Sequence, residues 1–198
     1  MTLTRNVRLE TTSRGSATLD CEGSGRHFVL GTGVKVVIDG LVLTNGRAAL
    51  ASWGDGHGGC IFAQENSSIV LHHTTFTRCI TDRSGGALVL TSGASATITG
   101  STIGNCSASE GGGVAVHNGS LVLRNTTFTH CIANRSGGAL VLTANSAASV
   151  TGSTIENCSA FDGGGVAVHN GSRLDLQDSR IERNTAASCG GGLFLQIA

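Results

Sequence analysis

Apolar residues return along this chain in short runs with a spacing of two. Behind Gly85 and Gly86, Leu88 and Leu90 share one side of an extended segment, Ala96 and Ile98 do the same a little later, and Ile103 follows. An alternation of two over four or five residues is the mark of a strand with one buried face. The first pattern recurs as Ile61/Ala63, Leu88/Leu90, Val114/Val116, Leu140/Leu142, Val166/Val168 and Leu193/Leu195. A second recurs as Ile69/Leu71, Ala96/Ile98, Leu121/Leu123, Ala148/Val150 and Leu174/Leu176, and a third is anchored by Phe76, Ile103, Phe128, Ile155 and Ile181. In every unit the third anchor lies five positions after the last inward residue of the second pattern, as a fixed turn between two strands requires.

The units are also repeats in the stricter sense. Gly85 to Ser136 is followed by a second copy, Gly137 to Ser188, and the run Gly111-Gly112-Gly113-Val114-Ala115-Val116-His117-Asn118-Gly119-Ser120 reappears 52 residues later at Gly163 to Ser172. Inside each copy the Gly-Gly anchor returns after 26 residues, at Gly85 and Gly111. A period of this length means stacked units, none of which buries its apolar face without a neighbour. The pattern predicts an all-β solenoid with three strands per coil of about 26 residues and about six coils, successive coils pairing as parallel strands about 4.8 Å apart. One domain over 1–198 is expected, with less regular coils in 1–57 and regular Gly-Gly coils in 58–198. Strand-like sequence at the start and a coil opened at Gly190 but not completed read as a fragment of a longer chain. Uncapped terminal coils expose strand edges and predict edge-to-edge self-association.

Composition narrows the partners. Thirteen basic and thirteen acidic residues balance, so no long-range field favours nucleic acid or an anionic membrane. No apolar stretch approaches the ~18 residues of a membrane span, and the first residues form no secretory signal. The chain has 30 Gly, no Pro and one Trp, a profile of short strands joined by turns. Asn-x-Ser/Thr sequons at Asn66, Asn105, Asn118, Asn125, Asn134, Asn157 and Asn170 matter only in a eukaryotic secreted protein.

Three residues after the third-strand anchor stand Cys79, Cys106, Cys131 and Cys158, with Asn184 in the last repeat. They form one file of small buried side chains, expected as free thiols; Cys-x-x-Cys spacing is absent, so no metal site is predicted. Before the glycine anchors the charge alternates through Asp55, Arg83, Glu110, Arg135 and Asp162, a row expected to pair across coils at the surface. His117 and His169 are equivalent outward residues two coils apart, about 9–10 Å, too far for one metal ion. Outward aromatics reduce to Trp53, Phe62, Phe161 and Phe194.

The strand starts Gly-Gly-Ala-Leu and Gly-Gly-Gly-Val, with Phe-Thr-Arg-Cys, Ile-Gly-Asn-Cys, Phe-Thr-His-Cys, Ile-Glu-Asn-Cys and Ile-Glu-Arg-Asn, resemble the repeats of the chlamydial polymorphic outer membrane protein family. That family lies within the wider group of right-handed parallel β-helix, pectin-lyase-like proteins. The resemblance spans Gly58 to Leu195, and Arg26 to Gly46 looks like an earlier coil. It implies a right-handed parallel β-helix, in line with the preference for right-handed crossovers. It also implies a non-enzymatic structural or adhesive scaffold, extracellular or at the cell surface and outer membrane-associated in a bacterium, with a cell-surface protein or carbohydrate as partner and no cofactor. Four of the five positions that carry the family's Asn hold Cys here.

Two other readings rest on shorter features. Gly56-His57-Gly58, beside Asp55 and Trp53, matches a tripeptide of galacturonan hydrolases, making Asp55 and His57 the catalytic candidates of a polysaccharide lyase or hydrolase. No Asp-Asp pair accompanies them, and acid-assisted glycoside hydrolysis needs paired carboxylates. Thr75, Thr77, Thr102, Thr127, Thr129 and Thr154 are outward on the third strand and resemble the ice-binding faces of antifreeze proteins, interrupted by Gly104, Glu156, Arg180 and Glu182.

Overall fold

The computed structural model describes residues 1–11, 16–49 and 56–196, and every regular element in them is a short strand. One coil shows how the sequence makes a layer. Leu88–Thr91, Ser95–Thr99 and Thr102–Gly104 are the three strands that the alternation predicts, and a short fourth, Ser107–Glu110, follows the cysteine. Each corner is turned by a residue with positive φ: Ser92 and Gly93 at 44° and 81°, Gly100 at 58°, Asn105 at 53° and Gly111 at 60°. That conformation is strained for most side chains and cheap for Gly and Asn, so the corners select these residues. Six of the seven sequon asparagines, all but Asn134, hold such corners, and their abundance follows from backbone geometry.

The fourth strand, two to five residues long, escapes the sequence pattern because it buries a single small side chain per coil, Thr81, Ala108, Ala133 and Ala160, and so shows no alternation. It nevertheless pairs from coil to coil, and the coils build four parallel sheets of eight, seven, seven and six strands. Register is strict: Leu90 pairs with Val116, Val116 with Leu142, and Leu142 with Val168. Phe76, Ile103, Phe128, Ile155 and Ile181 form a second continuous file on the third sheet. These inward files merge into one core, with Leu90, Ile98, Phe76 and Phe128 fully buried. Each such side chain contributes about 1.5–3 kcal/mol by leaving water, which only stacking achieves. In the last described coil Leu176 and Leu195 are exposed.

The thiol expectation is corrected at one position. Cys79 is joined to Cys60 in a disulfide, while Cys106, Cys131 and Cys158 are buried free thiols as expected. Cys60 stands where later coils carry Ala87, Gly113, Ala139 and Gly165, the third residue of the glycine anchor. This position faces the cysteine file from across the coil, a pairing that the file alone does not reveal. Below the bridge the file continues as Gly46, where a Cβ would lie 2.5 Å from Cys60 Sγ.

Candidate binding groove

Gly85, Gly111, Gly137 and Gly163 turn the last corner with φ between 60° and 72°, and there the chain folds back against the outside of the first sheet. A Cβ on Gly85 would lie 3.0 Å from the Cβ of Val89, and one on Gly111 2.9 Å from Val141 Cγ1. The outward residues Val89, Ala115, Val141 and Ala167 are therefore covered as completely as the core and form a second apolar cluster, with Phe62 and Phe194 against it. Sequence alternation assigns one buried face to this strand, whereas the fold buries both. The available signal was that all four outward positions are apolar, unlike Ser95, Thr97 and Thr99 on the second strand.

Beside this covered face runs a groove along the stack. It consists of adjoining depressions of about 440, 340 and 480 Å³, which share Glu110, His117, Arg135, His169 and Gln196 between neighbours. One wall carries the alternating charges Arg83, Glu110, Arg135 and Asp162. The other carries the ends of the first strands: Thr91, His117 and Thr143 in register, then His169 and Gln196.

The side chains are partly committed to one another. Arg135 Nη1 lies 3.3 Å from Glu110 Oε1, the one ion pair that the predicted charge row forms among the described residues. Asp162 Oδ1 instead accepts the backbone N–H of Cys189 at 3.2 Å. His117 Nδ1 is 2.7 Å from Thr143 Oγ1, and His169 Nδ1 is 2.7 Å from Gln196 Oε1. In both histidines Nε2 is buried without a hydrogen-bond partner. Burial lowers the His117 imidazole below the ordinary histidine range, and the charge of Glu110 opposes this. A neutral ring in this position offers one nitrogen as acceptor or donor according to its tautomer.

Of the catalytic candidates, Asp55 lies outside the described residues, as does Trp53. His57 lines the groove, its ring 6.2 Å from that of His117 and 6.4 Å from that of Phe62. Phe161 is outward as expected, half exposed at 54% and lining the depression that also holds Phe194. No group of three or more His, Cys, Asp or Glu among the described residues is placed to hold a metal ion, and no helix there is long and apolar enough to cross a membrane. On the third sheet Thr75, Thr102, Thr127 and Thr154 do stand in one file, bounded by Val42 and Arg180, while Gly104 and Glu156 break the file beside it.

With parallel coils, corner residues and inward files in place, comparison with known families is decisive for the fold: the model of the right-handed β-helix region matches residues 28–196. The chain belongs to the right-handed β-helix family. No curated protein and no solved structure matches it. In this β-helix the groove lies outside the first sheet, and its walls repeat because the coils do. Sequence reading brought out His57, His117, His169 and the charge row separately. It did not bring out that they share one groove, because the corner that folds the charge row over the first sheet is a three-dimensional feature.

Proposed function

We propose that this β-helix is a non-enzymatic scaffold, extracellular or displayed at a cell surface, that holds an extended polymeric ligand in the groove along its stack. The supporting observation is the state of the groove carboxylates. Of the three carboxylates that line the groove, Asp82, Glu110 and Asp162, Glu110 is engaged by Arg135 and Asp162 by a backbone N–H, so these two act in holding the wall. The stacked strands give the groove a rigid floor, and rigid presentation lowers the entropy cost of holding a long ligand. The resemblance to bacterial surface repeats and the Cys60–Cys79 disulfide, a bond that persists in oxidising compartments, both favour a location outside the cytoplasm.

A second reading, polysaccharide lyase or hydrolase, draws on the placement of His57 in the groove. One experiment separates the two: incubation with a panel of soluble polysaccharides, scored both for retention on immobilised protein and for new reducing ends. Retention without cleavage is the expected result. Release of shortened chains that is lost in Asp55→Ala and His57→Ala variants would establish the enzyme instead.

A further inference from the structure

Between the first and last described coils, the large apolar side chains left exposed among the described residues are Ile80, Ile132 and Phe161, all on or just after the fourth strand. Phe161 lines the groove beside Phe194. Ile80 and Ile132 stand in one outward file, Arg47, Ile80, Ser107, Ile132, Ser159 and Thr185, in register from coil to coil. Their strand neighbours Thr81, Ala108, Ala133 and Ala160 point inward and are buried. Ile80 and Ile132 are 41% and 51% exposed, whereas the serines between and beyond them are short and half-buried. The file therefore alternates knob and notch coil by coil, with the two knobs about 9.6 Å apart.

We infer that this outer face of the fourth sheet docks a second copy of the chain, the two stacks antiparallel about a two-fold axis that runs along the strands between Ser107 and Ile132. An axis in that direction reverses the order of the coils and keeps the file opposite itself, as a self-complementary contact requires. Ile80 then meets Ser159 of the second copy and Ile132 meets Ser107, so all four knobs of the pair enter notches. Moving the axis by one coil leaves a knob of each copy against Arg47 or beyond Thr185.

Charge selects the same orientation. Arg78 turns the corner in the coil of Ile80, and Glu156 stands beside the matching corner in the coil of Ser159. Glu156 and Glu182 share Arg183, which leaves one net negative charge at that corner. The antiparallel pair brings Arg78 of each copy to this end of the other, whereas parallel stacks would set Arg78 against Arg78 and knob against knob. The face measures about 24 Å along six coils and about 20 Å across, or about 500 Å² per copy. Twice that lies at the low end of specific contacts and fits a weak, reversible dimer. Ile80, Ser107, Ile132 and Ser159 lie outside the groove lining, so the dimer and a groove ligand are compatible.

The test is sedimentation velocity of the full chain from about 2 to about 200 μM, where a concentration-dependent monomer–dimer equilibrium is expected. Ile80→Ser/Ile132→Ser gives both coils the residue that the intervening coils already carry, so it keeps the fold, and it should weaken the dimer about tenfold or more. Arg78→Glu should weaken it less, and chiefly at low salt. Cysteine pairs read the orientation in a Cys21→Ser/Cys189→Ser background. Ile80→Cys/Ser159→Cys should give a covalent dimer on oxidation, and Ile80→Cys alone should not, because its two copies lie about 14 Å apart. A monomer at every concentration, a dimer of unchanged strength in the double serine variant, or a covalent dimer through Ile80→Cys alone would overturn the proposal. Chain-like assemblies untouched by the serine changes would overturn it too, in favour of end-to-end stacking.

Discussion

The least obvious residues in this molecule are two histidines that the fold takes wholly or partly out of water, His27 and His117. His27 is 6% exposed, its Nε2 is 2.8 Å from the Leu19 carbonyl oxygen, and burial lowers its proton affinity, the backbone contact opposing. His117 is lowered for the same reason in the groove. In the unfolded chain both titrate near the ordinary value of about 6.5. Above that pH neither state is protonated at these rings and they add no pH dependence. As pH falls below it the unfolded chain takes up protons first, so stability drops until the folded-state values are passed and then levels off. Urea unfolding at pH 7.5, 6.5, 5.5 and 5.0 should show this decline, and a His27→Gln/His117→Gln variant should show a shallower one. An identical slope in both proteins would mean that neither ring is held neutral by the fold.

At the scale of the coil, the three long strands were legible because each buries one side chain in two, and alternation survives even in four residues. Fixed spacing between Ile98 and Ile103, or Leu123 and Phe128, carried the turns as well. The fourth strand and the covered outer face of the first were not legible. A strand with one small buried side chain, such as Ala108 or Ala133, has no period, and the burial of Val89 is caused by the corner at Gly85, whose direction is set by three-dimensional closure. The disulfide was hidden in a similar way, since Cys60 belongs to the glycine anchor and Cys79 to the file opposite. Its bond joins the start of a first strand to the end of a third over a separation of 19 residues. Closing a loop of that size stabilises by about 3 kcal/mol through the unfolded chain. Thiol titration in denaturant should count five cysteines before reduction and seven after, and a Cys60→Ala/Cys79→Ala variant should unfold at lower urea. Seven reactive thiols without reductant would remove the clip.

At the scale of the whole molecule, stability and binding surface come from one operation, the addition of a layer. Each coil contributes inward side chains to the core and one step to the groove wall, so both properties scale with the number of layers. The coil is therefore the unit that can be removed. Deleting Gly85 to Ser136 takes out two complete coils and joins Ser84 to Gly137, which stands in the same register as Gly85. Every remaining file stays aligned. Deleting 13 residues, half of the 26-residue step, places strand against corner and turns inward residues outward. The most direct measurement is thermal unfolding by circular dichroism of the two deletion proteins beside the parent. The stacked-layer account predicts a soluble, strand-rich protein with a single cooperative transition for the two-coil deletion, and no cooperative transition for the half-coil deletion. Loss of folding in the first, or an intact transition in the second, would contradict it.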